Sequence, residues 1–264
     1  MIIDTHIHLD DGGYRDDLDA VLERAKDAGV GCCIIPGADI DDLPRAKELC
    51  EQYEHLFFAA GVHPYHAHQY DEGVLESYIA HPKCVAVGEC GLDYFRLPES
   101  DEEIAKEKAL QHAVFKGHIE LAIKHDLPLI VHVREASQDS FDLLKSYEAQ
   151  GARGVLHCFN ASDLLLELSQ NFYYGIGGVL TFKNAKKLVN ILPKIPKEKL
   201  LIETDGPYLT PHPHRGTRNE PAYTRLVAEK MGEILEMPTD EVIALTTVNA
   251  MSLFSRMQVP VGYN

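Results

Sequence analysis

Residues 2–8 of the chain read Ile2-Ile3-Asp4-Thr5-His6-Ile7-His8, a short apolar run that ends in two histidines. Isoleucine and threonine are enriched in strands, so the run predicts a β-strand. An open doubly wound sheet usually carries a glycine-rich fingerprint directly after its first strand. Because histidines stand there instead, the segment favours a barrel over an open nucleotide-binding sheet.

Similar runs recur eight times, and helical patterns separate most of them. We predict strands at Ile2–His8, Gly31–Pro36, Leu56–Val62, Cys84–Glu89, Leu127–Val133, Gly154–Cys158, Phe172–Ile176 and Leu200–Thr204. We predict helices at Asp16–Ala28, Asp41–Tyr53, Glu72–Ala80, Ser100–His125, Ser137–Gln150, Asp163–Gln170, Ala185–Leu192, Ala222–Leu235 and Asp240–Phe254. Alternating strands and helices imply a parallel sheet, and eight such units can close into a barrel. We therefore expect the α/β class and one (β/α)8 TIM-type barrel domain over residues 1–264.

Composition narrows the classes of function. The 264 residues carry a formal net charge of −16, so the chain has no general electrostatic attraction to nucleic acid. Any polyanion must be drawn to a local basic patch or to a bound cation. No apolar run reaches roughly 18 residues, which predicts no membrane span, and the N-terminus lacks the features of a signal peptide. Six cysteines without a CxxC pair predict reduced thiols and a cytoplasmic protein.

Ligand-type side chains stand at the carboxyl ends of five predicted strands. They are His6, His8, Glu89, His132, His157 and Asp205. Side chains two residues apart in a strand project from the same face, so His6 and His8 can bind one metal ion together. Active sites of (β/α)8 barrels lie at this end of the strands. The six residues therefore predict a metal centre.

Six ligands exceed what one tetrahedral ion needs, so we expect two divalent cations. Two ions about 3.5–4 Å apart would use all six ligands if one carboxylate bridged them. Glu89 is the best bridge, because its strand lies between the two groups of ligand-bearing strands. The expected division is His6, His8 and Asp205 on one ion and His132 and His157 on the other. Asp205 could also take a proton from the attacking water.

Glu203 stands two residues before Asp205 and should share its face of the strand. Two interpretations stay open for this carboxylate. It could orient a metal ligand through a hydrogen bond, or it could form a buried ion pair lower in the barrel.

Four further residues are candidates for contact with a substrate. His63 ends the third strand and could donate to a phosphate oxygen or a metal-bound water, or could simply pack against Pro64. Arg134 shares a face with the predicted ligand two residues earlier and could meet a phosphate. Arg218 and Asn219 lie in the long connection after Asp205, and long loops at a barrel mouth often shape a substrate pocket.

Several longer segments match the motifs of one known family in the right order. They are Asp4-Thr5-His6-Ile7-His8-Leu9, Gly61-Val62-His63-Pro64, Val87-Gly88-Glu89-Cys90-Gly91-Leu92-Asp93, Leu156-His157-Cys158-Phe159, Leu201-Ile202-Glu203-Thr204-Asp205-Gly206-Pro207-Tyr208-Leu209 and Arg218-Asn219-Glu220-Pro221. With these segments the chain resembles the TatD-type deoxyribonucleases of the metal-dependent hydrolase superfamily. The resemblance implies a TIM-type barrel, one or two divalent cations on the same six ligands, proton transfer by Asp205 and hydrolysis of phosphodiester bonds. The chain departs from the family pattern at Asn160-Ala161, where a small residue and glycine are usual.

We expect a cytoplasmic, metal-dependent nuclease that acts on the ends of single-stranded DNA, with magnesium, manganese or zinc as cofactor. Relatives in the wider superfamily act on carbonyl compounds, so an amide or ester hydrolase, such as an aminoacyl-tRNA deacylase, is the alternative. A non-enzymatic metal-binding protein is a third hypothesis. The chain has no G-x-S-x-G, Walker or dinucleotide motif, which disfavours serine hydrolases, NTPases and NAD enzymes.

Overall fold

Eight parallel strands, numbered in chain order, lie side by side in a computed structural model that describes residues 1–259. The strands are β1 (Ile2–Asp4), β2 (Val30–Ile35), β3 (Leu56–Ala60), β4 (Cys84–Asp93), β5 (Leu129–Arg134), β6 (Gly154–Leu156), β7 (Phe172–Ile176) and β8 (Leu200–Ile202). The ring closes where Thr5 N donates to Ile202 O and Ile7 forms a parallel bridge with Gly206. The (β/α)8 barrel is thus confirmed. Residues 260–264 of the expected single domain lie outside the described residues.

Eight α-helices within residues 1–259 surround the strands. They are α1 (Leu18–Asp27), α2 (Leu43–Gln52), α3 (Glu72–Ile79), α4 (Asp101–Lys124), α5 (Ser137–Tyr147), α6 (Lys186–Ile191), α7 (Thr224–Leu235) and α8 (Thr239–Leu253). The expected α-helix Asp163–Gln170 is wrong, since that segment forms a 3-10 helix over Leu164–Leu168. Leu165 and Leu168 are both fully buried there, and a spacing of three fits the three residues per turn of a 3-10 helix. No helix within residues 1–259 has the length and apolar character needed to cross a membrane.

The barrel interior is filled by alternate strand residues, which form an apolar cluster separate from the one under the outer helices. Its members include Ile3, Cys32, Ile34, Phe57, Ala59, Val85, Ile130, Val155 and Leu201, and α8 covers it with Ala250 and Leu253. Residues two positions beyond Ile130 and Val155 are His132 and His157, so the same alternation turns these histidines inward. The polar site therefore sits on top of a packed apolar layer, at the carboxyl ends of the strands.

Five strands end earlier than the sequence predicts, and two of them, β2 and β3, end at Ile35 and Ala60 instead of Pro36 and Val62. The expected strands Ile2–His8, Gly154–Cys158 and Leu200–Thr204 end at Asp4, Leu156 and Ile202. Cys158 and Asp205 adopt left-handed backbone conformations, with φ of 42° and 58°, which an extended strand cannot contain. The chain therefore leaves the sheet at the level of the ligands.

Strand β4 instead runs beyond its expected end at Glu89 and contains a bulge. Gly88 pairs with Ile130 and Cys90 with Val131, which leaves Glu89 as the extra residue. A Cβ at Gly91, where φ is 139°, would lie 2.0 Å from the carbonyl oxygen of His132. Only glycine allows so close an approach of the two strands. The bulge and this approach bring Glu89 against the ligands of the neighbouring strands.

Candidate metal centre

The buried carboxylate of Glu89 lies at the centre of the predicted ligands. Its Oε1 is 3.0 Å from His132 Nδ1 and 2.9 Å from His157 Nε2. Its Oε2 is 3.3 Å from His6 Nε2 and 3.9 Å from His8 Nε2. Each oxygen of Glu89 thus faces one pair of histidines. This arrangement supports the expectation that Glu89 bridges two ions.

Asp205 lies beside the first pair. Its Oδ1 is 3.7 Å from His6 Nε2 and 3.9 Å from His8 Nε2, as the expected division of the ligands requires. The backbone N–H of Asp205 donates to the carbonyl oxygen of His6, which holds the two segments together. Burial and, to a smaller extent, the nearby charge of Glu89 raise the pKa of Asp205 to about 7 against the opposing effect of His157.

The side chains present fit divalent cations. His6 is fully buried, yet neither of its ring nitrogens makes a hydrogen bond among the described residues, and the same holds for Nδ1 of His157. A buried polar atom without a partner costs roughly 1–3 kcal/mol, so such atoms indicate a missing partner. Possible ligand atoms lie within 4.8 Å of one another in four sets, which are His6, His8 and Glu89; Glu89, His132 and His157; His6, His157 and Asp205; and His63, Asp93 and His132. Imidazole nitrogens and carboxylate oxygens are ligands for zinc and manganese alike.

Charges in the cluster set the protonation of its members. Against the effect of burial, Glu89 and Glu203 raise the pKa of His157 well above its usual value, and Asp93 and Glu89 raise the pKa of His132. Burial alone would raise the pKa of Glu89, but His157, His6 and His63 hold it well below its usual range. Burial lowers the pKa of His6 well below its usual value, and the neighbouring His157 lowers it further. Glu89 is therefore ionised and His6 neutral at neutral pH, which leaves both with lone pairs for a cation.

Two buried carboxylates stand behind the ligand histidines. Asp93 Oδ2 lies 2.9 Å from His132 Nε2, which leaves Nδ1 of that ring free to face Glu89. Glu203 Oε1 accepts from the backbone N–H of Cys158 and lies 3.8 Å from His157 Nδ1. Such carboxylates orient a ligand imidazole and raise its basicity. Glu203 lies at ion-pair distance from His157 but makes no hydrogen bond to it, so both interpretations of this carboxylate stay predictions.

Asp93 is a residue that the sequence analysis quoted without assigning it a role. It stands four positions after Glu89 in β4, and even spacing within a strand places two side chains on one face. That spacing could have identified it, had β4 been expected to continue past Glu89.

His63 lies next to the ligands and presents a donor. Its Nδ1 accepts from Tyr65 N at 3.1 Å, and its Nε2 is 3.7 Å from Glu89 Oε1. Burial lowers its pKa to about 3, so the ring is neutral at neutral pH. A neutral imidazole that accepts at Nδ1 carries its proton on Nε2. This position agrees with the interpretation that His63 donates to a substrate oxygen.

The ligands open onto a cleft of about 500 Å³. Arg134 lies on its wall as expected, with the guanidinium 3.6 Å from the centre of the Phe95 ring. Other lining residues were not singled out from the sequence, among them Asp10, Asp11, Asp42, Tyr65, Arg96 and Tyr208. All of them follow strand ends, but loop residues carry no periodic signal that would separate lining from solvent-facing positions.

Arg218 and Asn219 do not line this cleft, so the prediction that they contact substrate is corrected. Both guanidinium NH groups of Arg218 donate to the carboxylate of Asp17, at 2.8 and 2.7 Å. Asn219 is fully buried, and its Nδ2 donates to the carbonyl oxygens of Thr204 and Tyr208. Their polar groups are already engaged within the protein. They hold the connection after β8 against the segment before α1.

The unusual Asn160-Ala161 pair shapes the loop after β6. Ala161 has a left-handed backbone with φ of 59°. Asn160 Oδ1 accepts from Ser162 N, and its Nδ2 donates to Val133 O and Ser137 Oγ. The departure from the family pattern therefore lies in the turn after His157, where Asn160 holds the loop by hydrogen bonds.

Comparison with known proteins adds independent information. A family model described as TatD related DNase matches residues 3–255. The chain is 42% identical over 259 residues to the uncharacterized metal-dependent hydrolase YabD of Bacillus subtilis, covering 96% of this chain and 99% of the relative. It is 32% identical over 264 residues to the 3'-5' ssDNA/RNA exonuclease TatD of Escherichia fergusonii, covering 96% and 98%. The crystal structure of YJJV, a TatD homolog from Escherichia coli K12, superposes with a TM-score of 0.84 at 31% identity over 96% of this chain and 98% of that one.

Proposed function

We propose that the chain, which belongs to the TatD-related DNase family of metal-dependent hydrolases, removes nucleotides from the ends of single-stranded nucleic acid. DNA is the preferred substrate in this proposal. One observation carries the proposal. The two oxygens of Glu89 face two separate histidine pairs at the floor of an open cleft that also presents arginines. That arrangement suits an anionic substrate held between two cations. The relative from Escherichia fergusonii, named an exonuclease on single-stranded DNA and RNA, supports the same substrate class.

His6, His8 and Asp205 would hold one ion, His132 and His157 the other, and Glu89 both. When bound, two such cations polarise a phosphoryl oxygen and lower the pKa of a nearby water.

The protein's own residues supply orientation and proton transfer. The Nε2–H of His63 can donate to a phosphate oxygen, since its other nitrogen already accepts from Tyr65 N. Arg134 can pair with a phosphate at the cleft wall. Asp205, whose pKa burial raises toward neutrality, can take the proton of the attacking water.

Exposed aromatic rings favour a nucleic acid over a small acyl compound. Phe95 and Tyr208 are 50% and 59% exposed, and they are the two aromatic residues among the large exposed apolar side chains of the described chain. Tyr208 lines the cleft beside His8, and Phe95 packs against Arg134, which belongs to the cleft wall. Exposed rings beside cationic groups are the usual surface on which unpaired bases stack.

Digestion of an end-labelled single-stranded oligonucleotide tests the proposal. Wild type is assayed with magnesium and with manganese, beside Glu89→Ala and the matched control Glu102→Ala, whose carboxylate is 80% exposed on α4. We expect wild type and control to shorten the strand stepwise from one end. Glu89→Ala should lose at least a hundredfold in rate, because it removes a ligand that both ions share. Its metal content, measured by mass spectrometry, should fall below that of wild type.

Two results would overturn this account. Full metal occupancy in Glu89→Ala would contradict the shared-ligand role. Metal-loaded wild type that leaves DNA and RNA uncut would reject the nuclease and direct the search to amide and ester substrates, aminoacyl esters first.

A further inference from the structure

The cleft carries opposite charges on opposite walls. Asp10 and Asp11 follow β1, and Asp42 precedes α2 on the next loop, so one wall is acidic. Arg96 follows β4 and Arg134 ends β5, so the other wall is basic. In a ring of eight strands in chain order, β1 and β5 stand opposite each other. The ligand cluster lies between the two walls.

Neither wall is neutralised by the protein. Within residues 1–259, no lysine or arginine pairs with the three carboxylates of the acidic wall, and the nearby Arg45 pairs with Glu48 instead. No carboxylate in the same residues pairs with either arginine of the basic wall. Arg134 and Arg96 rest over the rings of Phe95 and Tyr65, at 3.6 and 5.7 Å from the ring centres. Both arginines and the carboxylates of Asp11 and Asp42 are therefore available to a substrate, whereas burial raises the pKa of Asp10 to about 7 and leaves it only partly charged at neutral pH.

The two oppositely charged walls determine the side of the cleft on which the remainder of a bound strand lies. When one phosphate lies at the ligand cluster, the next phosphate along the chain must lie toward one wall. The arginines attract it, whereas the carboxylates repel it, and repulsion of the wrong arrangement is an effective source of specificity. Only the basic wall can accept the continuing strand.

We infer that the acidic wall, Asp10, Asp11 and Asp42, receives the terminal nucleoside of the strand and selects an end that bears a free hydroxyl over one that bears a phosphate. The inference rests on the proposed function and adds a chemical requirement on the strand end. Carboxylates can accept hydrogen bonds from the sugar hydroxyl and from base amino groups. Tyr208, whose ring centre lies 6.5 Å from that of His8, supplies an exposed face for the terminal base on this side.

The test compares one oligonucleotide in four forms, which are unphosphorylated, 5'-phosphorylated, 3'-phosphorylated and circular. We expect kcat/KM to fall at least tenfold when the phosphate is on the attacked end and to change less than twofold when it is on the other end. The circular strand should be cut at least a hundredfold more slowly, because it has no end to place against the carboxylates. Equilibrium binding, measured by fluorescence anisotropy with calcium in place of the activating ion, should show the same order of preference.

Variants of the acidic wall test whether its carboxylates cause the preference for an unphosphorylated end. Asp42→Asn and the double variant Asp11→Asn/Asp42→Asn should reduce the penalty for a terminal phosphate stepwise, from at least tenfold to about threefold or less. The control Asp41→Asn removes the same charge from an exposed neighbour that does not line the cleft, and it should keep the full penalty.

The inference fails if the linear forms are degraded equally, if a phosphorylated end is preferred, or if the circle is cut as fast as the linear strand. It also fails if the asparagine variants keep the full penalty, or lose activity equally on every form. All these results presuppose cleavage, so they are distinct from the failure of the proposed function, in which no form is cut.

Discussion

The protonation of single histidines separates ligands from donors in this site. His132 has Asp93 behind Nε2 and turns Nδ1 toward Glu89, whereas His63 accepts a backbone N–H at Nδ1 and presents a protonated Nε2. Both rings lie within 3.7 Å of the same carboxylate oxygen. The hydrogen-bond partner of the far nitrogen, and not the distance to Glu89, decides which histidine can bind a cation.

We predict that His63→Ala slows hydrolysis roughly 10–100-fold and keeps the metal content of wild type, because the substitution removes a hydrogen-bond donor and no metal ligand. The matched variant His132→Ala should lose activity and lower the metal content together. Metal analysis of both purified variants checks this. A loss of metal in His63→Ala as large as in His132→Ala would show that His63 is itself a ligand.

Individual elements position the site through close backbone contact. In β4, the bulge at Glu89 and the approach of Gly91 to β5 turn the central carboxylate into the cluster. The continuation of β4 to Asp93 then supplies the partner of His132. One strand therefore contributes both the proposed shared ligand, Glu89, and the carboxylate that contacts His132.

Gly91→Ala should destabilise the protein by roughly 2–4 kcal/mol, since its Cβ would overlap the carbonyl oxygen of His132. Gly12→Ala is the control, because a Cβ there would meet nothing within 4 Å. Urea unfolding, followed by circular dichroism, measures the difference between the two variants. Equal midpoints would mean that β4 and β5 can separate without cost.

Helix α4 is tied to the segment after β3 by a buried histidine. The Nε2 of His118 accepts from Val62 N, while its Nδ1 faces the carbonyl oxygen of Val114 at 2.8 Å. The contact lies directly before His63 and fixes the start of its loop. The role of His118 is therefore structural.

The same histidine makes stability depend on pH. Burial lowers the pKa of His118 from 6.5 to about 4, so between these values the unfolded chain binds more protons than the folded one. The free energy of unfolding should therefore fall as the pH drops from about 6.5 to 4, by an amount on the order of 3 kcal/mol from this residue. Measured in EDTA, the free energy of unfolding of His118→Gln should fall less with decreasing pH than that of wild type. The control His112→Gln changes an exposed residue of the same helix and should behave as wild type does. Parallel curves for all three proteins would contradict this.

In the molecule as a whole, several buried carboxylates lie close together at one end of the barrel, where bound cations can compensate their negative charge. Asp4, Glu89 and Glu203 are all buried near the carboxyl ends of the strands, with Asp205 beside them. A cation that binds only the folded state stabilises it by mass action.

We expect manganese at about a hundred times its dissociation constant to add about 2.7 kcal/mol and to raise Tm by roughly 5–10 °C. EDTA should reverse the rise, and Glu89→Ala should show less than half of it, while Glu102→Ala responds as wild type does. Differential scanning fluorimetry measures all of these shifts. An equal rise in Glu89→Ala would place the stabilising cation elsewhere.

The alternation of strands and helices could be read from the sequence, and so could the convergence of the six proposed ligands, because parallel strands end at one rim and strand-end residues such as His6, His157 and Asp205 meet there. Loop residues obey no such periodicity. The sequence therefore predicted no role for Asp93, which contacts His132. It also predicted that Arg218 and Asn219 contact the substrate, although Arg218 pairs with Asp17 and Asn219 is bonded within its own loop. The opposite charges of the two cleft walls likewise arise only when β1 and β5 stand across the closed ring, since contacts between residues far apart in sequence form only in the folded barrel.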